Sequence, residues 1–252
     1  MRPSLVAERA RGPAGPRFEP NAPAAPRRAR AGHRVRPSPD VLFEVLDPGV
    51  NAAVWRRPLA PALAAGLSPL LKRVGVAFDG AVSARHPEVD RLVAALPPSP
   101  SRAALADDVR DLIARFAAVS GAARPHAHLE AVDDDGCRKF HVDYVGLRLL
   151  TTYVGPGTEW LSEDAVDRAA LAPSDAPPDE TNAAVVRDPA LVRRARAGDV
   201  LLLKGEGWPG NEGRGAVHRS PPVAATGARR LVFKLTALAH DLAPPGGGRG
   251  GG

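Results

Sequence analysis

Residues 125–161 read PHAHLEAVDDDGCRKFHVDYVGLRLLTTYVGPGTEWL. Their apolar and polar residues alternate with a period near two, and Asp- and Gly-rich breaks recur at short intervals, the pattern of an all-β unit. HAHLEAV and CRKFHVDYV flank DDDG, which predicts a hairpin, and LRLLTTYV predicts a further strand running into the glycine turn of GPGTEWL. Downstream, Ser162 is expected to cap a short helix through Leu171, PSDAPPDE to be loop, and AAVV to be a strand. ARAGDVLLLKG predicts a turn feeding a strongly apolar strand; the glycine-rich GEGWPGNEGRG then leads to AVHRS and a final strand, RRLVFKLTAL.

Upstream the period changes. In SRAALADDVRDLIARFAAVSG, Leu105, Val109, Leu112, Phe116 and Val119 recur every three or four residues, with Ser101 as the expected N-cap and Gly121 as the stop. Such a stripe needs a partner surface, and a sheet is the expected one. VLFEVL and NAAVWRR supply apolar clusters, whereas LAPALAAGLSPLLKRVG and HPEVDRLVAAL read as short helices or turns. The domain organisation that follows is an Arg/Pro/Ala-rich tail over residues 1–39, one globular domain over 40–242 and a glycine-rich tail over 243–252. Within the domain, 40–122 is expected to be mainly helical and 123–242 mainly β, an α+β fold with N-terminal helices packed on a curled sheet or barrel.

The formal charge of +6 and pI of about 10.2 invite a nucleic-acid reading, but the charge is not in the body. The first 40 residues hold nine arginines against Glu8, Glu19 and Asp40, which leaves 25 basic and 25 acidic groups in the rest. A balanced body offers no phosphate-binding stripe, so no nucleic-acid partner is expected. The prolines of the tail oppose an amphipathic presequence helix, and no run reaches the roughly 20 apolar residues of a membrane span. The single Cys137 rules out an internal disulfide framework. These features predict a cytoplasmic protein with no membrane partner.

The candidate chemistry centres on His141-Val142-Asp143. On a strand, residues i and i+2 face the same way, so one imidazole and one carboxylate can reach one metal. His218, on AVHRS, would complete a two-histidine, one-carboxylate face that leaves coordination positions open on iron(II). Zinc is the alternative ion. A Cys137 ligand four residues before His141 would lie about 13 Å away along a strand, which favours a small buried residue there. His126, His128 and Glu130 form a second, cupin-like candidate.

The order FHVD, a strand ending in Tyr153, GPGTEWL, AGDVLLLKG, HRSPPV and RLVFKL resembles the non-haem iron(II)/2-oxoglutarate dioxygenases, including their prolyl-hydroxylase-like branch, over about residues 125–238. The resemblance implies a double-stranded β-helix, jelly-roll or cupin-like in form, that uses 2-oxoglutarate as co-substrate. It further implies a final-strand arginine that holds the distal carboxylate of that co-substrate. Arg230 is the candidate anchor, Arg229 its alternate and Tyr153 a further contact; a guanidinium suits a carboxylate better than an ammonium does. Val232 stands where the family favours a hydroxyl residue. FHVD, LRLL-x-TY, GPGTEWL, LLKGE, WPGN-x-G and HRSP are also similar to an uncharacterised bacterial family, domain of unknown function 1826, from about Val41 to Leu238.

Two functions of different kinds fit these residues. One is an iron(II)- and 2-oxoglutarate-dependent oxygenase acting on a small molecule or a protein side chain, with GEGWPGNEGRG as a lid over the site. The other is a non-catalytic, cupin-like protein that handles or senses zinc or iron. Trp160 reads as a core or rim aromatic, Lys204 and Lys234 as surface strand residues, and Glu159 as either a solvated charge or a partner of a ligand histidine.

Overall fold

The computed structural model describes residues 32–67, 71, 75–134 and 136–242. A seven-stranded sheet is formed by β1 (Gly32–Arg36), β2 (Val50–Trp55), β3 (Val76–Ala81), β4 (His126–Val132), β5 (Leu147–Val154), β8 (Val200–Lys204) and β10 (Arg230–Ala237). Their order is β1-β2-β8-β5-β10-β4-β3, antiparallel throughout except for the β1–β2 pair. A second sheet of three short strands, β6 (Glu159–Trp160), β7 (Arg193–Arg194) and β9 (His218–Arg219), runs in the order β7-β6-β9. The helices are α1 (Pro61–Gly66), α2 (Val89–Leu92), α3 (Pro100–Ser120) and α4 (Pro178–Val185). No described helix is long and apolar enough to cross a membrane.

Period-two alternation assigns each face of the large sheet. Leu147, Leu149 and Tyr153 of β5 and Leu231, Phe233 and Leu235 of β10 point into one core, which also buries the α3 stripe of Leu105, Val109, Leu112, Phe116 and Val119. Leu150 of β5, Val232 of β10 and Leu201 and Leu203 of β8 point the other way, into a second core with Trp160 of β6. The space between the two sheets is where the candidate ligands lie.

Several local expectations are corrected. Ser99, not Ser101, caps α3: its side chain accepts from the Arg102 N–H, while Ser101 is buried and donates to the Ala62 carbonyl. Pro100 at the first helical position moves the start forward. The stop is Gly121, at φ 73°, a backbone conformation that costs glycine little. Residues 32–36, assigned to the tail, form β1, because β2 offers them a free parallel edge. The mainly helical N-terminal part also supplies β2 and β3 to the large sheet. VLFEVL lies within a 3-10 helix, Pro39–Leu46. The expected hairpin is not made: β4 has β3 and β10 on its two edges, and residues 137–146 instead cross toward the small sheet. AAVV is mostly the end of α4, whose Pro178 start suits a first helical turn. The segment after Ser162 forms two 3-10 turns, Glu163–Ala165 and Arg168–Leu171, rather than one helix.

Lys204 is no surface residue. It is 2% exposed, donates to the Asp47 carbonyl at 2.9 Å and lies 5.0 Å from the Trp208 ring centroid. Burial, helped by nearby Arg214 and opposed by Asp47, lowers its pKa to about 8.

Candidate metal and anion site

His141 and His218 exchange both backbone hydrogen bonds, at 3.0 Å each, in an isolated antiparallel bridge that continues β9. The pairing brings the imidazoles to 4.5 Å between ring centroids. Asp143, two residues on, closes the group: one ligand atom from each of His141, Asp143 and His218 lies within 4.8 Å of the other two. Among the described residues this is the one group of three or more His, Cys, Asp or Glu so arranged.

Hydrogen bonds decide which histidine nitrogens face inward. Nδ1 of His141 lies 2.9 Å from the Lys139 carbonyl, and Nδ1 of His218 lies 3.0 Å from the Ala216 carbonyl. A carbonyl only accepts, so in the neutral rings each Nδ1 carries the hydrogen and each Nε2 presents a lone pair. These lone pairs look at a carboxylate: His218 Nε2 is 3.4 Å from Asp143 Oδ2, and His141 Nε2 is 3.9 Å from Asp143 Oδ1. Burial is the main cause that lowers the His218 pKa, to about 4; His141 adds to the effect and Asp143 opposes it. His218 is therefore neutral at neutral pH. Asp143 Oδ1 accepts from Arg148 at 2.6 Å, but Oδ2 is buried without a hydrogen-bond partner.

The lone pair of neutral His218 thus faces the unpartnered Asp143 Oδ2 with no hydrogen between them, an arrangement that costs free energy unless a cation lies there. Ligands at about 2.1 Å from one metal stand roughly 3 to 3.5 Å apart. The two imidazole–carboxylate separations, 3.4 and 3.9 Å, lie at or near that range. The donor set, two imidazole Nε2 atoms and one carboxylate on one side, fits iron(II) or zinc.

Beside the triad lies a cleft of about 90 Å³ whose walls include Leu150, Thr158, Arg219, Arg230, Val232 and Lys234. Arg230 is 2% exposed, donating from Nε to the Pro156 carbonyl at 2.7 Å and from Nη2 to Thr152 Oγ1 at 3.4 Å. No carboxylate among the described residues pairs with it. Burial lowers its pKa to about 10, against the opposing effects of Cys137 and Glu159, so the guanidinium is charged with no carboxylate in contact. Arg229, its neighbour, faces away: it donates to the Leu71 carbonyl and pairs with Asp133 at 3.0 Å.

Tyr153 is not brought to this cleft. Its odd position on β5 turns it into the helix-side core, where its hydroxyl donates to Asp108 Oδ2 at 2.6 Å. Asp108 is also held by Arg57, whose Nη2 donates at 2.8 Å. Tyr153 is thus part of a buried strand-to-helix network. Glu159 is 1% exposed and pairs across the small sheet with Arg194 and with Arg219, the latter at 2.7 Å. It touches neither ligand histidine. Lys234 is half-buried and lines the cleft. Cys137 is exposed at the cleft, while His126 and His128 engage Asp79 and Glu130 on the large sheet, apart from the triad. The expected lid is tied down, as Asn211 donates to the Gly205 carbonyl and Gly213 and Gly215 donate to Glu206. Arg148 went unnoticed in the sequence; its even position on β5, beside Leu150, is the signal that it shares a face with the cleft.

A family described as "Protein of unknown function (DUF1826)" matches residues 36–236. No curated protein matches the chain. Among solved structures, the chain is similar to a dioxygenase for auxin oxidation from rice, at 16% identity, with 82% of this chain and 83% of that one covered and a TM-score of 0.44. It is also similar to dioxygenase for auxin oxidation 1 from Arabidopsis thaliana in its complex with 2-oxoglutarate, at 9% identity, with 82% and 92% covered and a TM-score of 0.47. An oxidoreductase of the 2OG-Fe(II) oxygenase family from Burkholderia pseudomallei matches at 11% identity, over 86% of this chain and 100% of that one, with a TM-score of 0.41.

Proposed function

Since the chain belongs to the family described as "Protein of unknown function (DUF1826)", its activity has to be read from the cleft, and we propose an iron(II)- and 2-oxoglutarate-dependent oxygenase on a double-stranded β-helix. One observation carries the reading: a metal-ligating face and a buried guanidinium that no described carboxylate contacts lie in the same cleft. A metal carrier needs the first alone. An enzyme that must hold a dicarboxylate beside its metal needs both.

Iron(II), 2-oxoglutarate and dioxygen would together supply the oxidising chemistry, with dioxygen taking two electrons from oxidative decarboxylation of the co-substrate and two from a bound substrate. His141, Asp143 and His218 would hold the metal, their rings oriented by the Lys139 and Ala216 carbonyls and their carboxylate by Arg148. Arg230 would receive the distal carboxylate as a forked donor, aimed by the Pro156 carbonyl and Thr152. Leu150, Val232 and Val132 line the same cleft and would keep it poor in water, which strengthens that ion pair. The substrate would be a small molecule or a protein side chain, and the protein is proposed to act in the cytoplasm.

Calorimetric titration of 2-oxoglutarate into the iron-loaded protein without oxygen tests the reading. The parent should bind, and Arg230→Ala should keep iron while losing about 2–5 kcal/mol of co-substrate affinity, the cost of stranding one member of a buried charge pair. Arg229→Ala should bind as the parent does. An iron-loaded parent that takes up no 2-oxoglutarate would overturn the oxygenase in favour of the carrier.

A further inference from the structure

The glycine-rich loop over residues 205–215 touches both halves of the ligand set. At its start, three consecutive amides clamp the segment that carries Asp143. Gly205 N–H donates to the Gly146 carbonyl at 3.1 Å, Glu206 N–H to the Asp143 carbonyl at 2.8 Å and Gly207 N–H to the Val145 carbonyl at 3.1 Å. A side chain at Gly205 would collide with the Val145 carbonyl and stand 2.7 Å from that of Asp143, so the approach requires glycine there. At its end the loop enters β8's shadow through Ala216, which donates to the Lys204 carbonyl at 2.8 Å and whose own carbonyl orients His218.

The two ends are joined by one side chain. Glu206 Oε1 accepts from Gly215 N–H at 2.8 Å, and Oε2 accepts from Gly213 N–H. A Cβ at Gly215 would stand 2.7 Å from that carboxylate and 3.2 Å from the Cβ of Val142, the residue between the first two ligands. The backbone of Glu206 is therefore bonded to Asp143, and its carboxylate is bonded to the residue that precedes Ala216. We infer that Glu206 is a positioning residue, which closes this loop so that the Asp143 and His218 segments are held in one ligating arrangement. The inference rests on the metal-binding reading above, and its test separates the two.

Glu206→Ala, Glu206→Gln and, as a control, Asn51→Ala would be compared with the parent. Asn51 donates to the Arg214 carbonyl at 2.9 Å and so holds the outer side of the same loop. Iron(II) affinity would be measured by anaerobic competition with a chelator, and the imidazole nitrogens of the metal-free proteins would be followed by 15N NMR. Glu206→Ala is expected to weaken iron binding about 10- to 100-fold, the range for partners that orient ligands. It should also replace the single Nδ1–H tautomer of His218 by a mixture. Glu206→Gln keeps one carbonyl acceptor and should recover part of both. Asn51→Ala should lower the melting temperature with parental affinity and parental imidazole signals. Parental affinity and a parental tautomer in both Glu206 variants would overturn the inference. Failure of the parent to bind iron would overturn the metal reading alone, since the imidazole signals still decide whether Glu206 positions the ring. If Glu206→Ala does not fold, Glu206→Gln decides by the same two readouts.

Discussion

Replacing Asp143 by Asn should make the metal-free protein more stable while abolishing its response to metal. In the parent, His218 Nε2 and Asp143 Oδ2 face each other at 3.4 Å with no hydrogen between them, and Oδ2 has no other partner. Leaving such a buried acceptor unpaired costs about 1–3 kcal/mol. An asparagine amide in the Oδ2 position donates to the imidazole, which adds about 0.5–1.5 kcal/mol, and its carbonyl keeps the Arg148 hydrogen bond found at 2.6 Å. That bond loses its carboxylate charge, at a cost of about 1 kcal/mol, so the middle of each range leaves a net gain of about 2 kcal/mol. For a domain of this size the melting temperature should rise by about 2–8 °C. Iron(II) at a hundred times its dissociation constant should stabilise the parent by about 2.7 kcal/mol, and the variant not at all. Anaerobic thermal melts with chelator and with metal give all four values. A metal-free variant less stable than the parent by more than about 1 kcal/mol would refute the reasoning, because the carboxylate would then be satisfied within the protein itself.

Tyr153→Phe should cost about 1.5–3 kcal/mol, the worth of a hydrogen bond to a charged group, and leave 2-oxoglutarate affinity within twofold. A tenfold loss of that affinity, read by calorimetry, would return Tyr153 to the cleft. Deleting residues 1–38 should lower the melting temperature, because the deletion removes β1 and uncovers the edge of β2; an unchanged melt would show that this strand adds nothing. The metal-free protein should lose stability as pH falls from about 6.5 to 4, because unfolded His218 gains a proton in that window while the buried native ring, held at about 4, does not. The slope should approach 1.4 kcal/mol per pH unit at most. Urea midpoints at pH 7 and pH 5 measure it, and His218→Gln should flatten the difference.

What was legible in the sequence follows from how local each feature is. The α3 stripe and the apolar strands β5, β8 and β10 announce themselves, since burial on a regular element leaves a period. The ligands are legible by type and order, but strand alternation alone does not account for their convergence. His141 and Asp143 do not share a long strand; His141 occupies a single bridge to His218, and Asp143 lies just past it. Arg229 and Arg230 illustrate the limit from the other side. Adjacent residues on a strand must face opposite ways, but which one faces the cleft depends on the register of β10 between β4 and β5, strands that lie about 100 and about 80 residues earlier in the chain.

The same dependence explains Tyr153, Lys204 and Ser101. Tyr153 stands one place from Thr152, which does reach Arg230, and that single step sends its phenol to Asp108 on a helix 45 residues earlier. Lys204 ends an apolar strand, and nothing local foretells that the Asp47 carbonyl will receive it from 157 residues away. Short-range pattern specifies which side chains alternate; long-range pairing specifies which face meets the metal. The glycine loop over residues 205–215 lies between these regimes. Its composition marks it as a turn, but its consequence, joining the Asp143 segment to the His218 segment through Glu206, exists only once both strands are in place. A functional reading of this chain therefore turns on Asp143, Arg230 and Glu206, whose roles are set by partners far away in sequence.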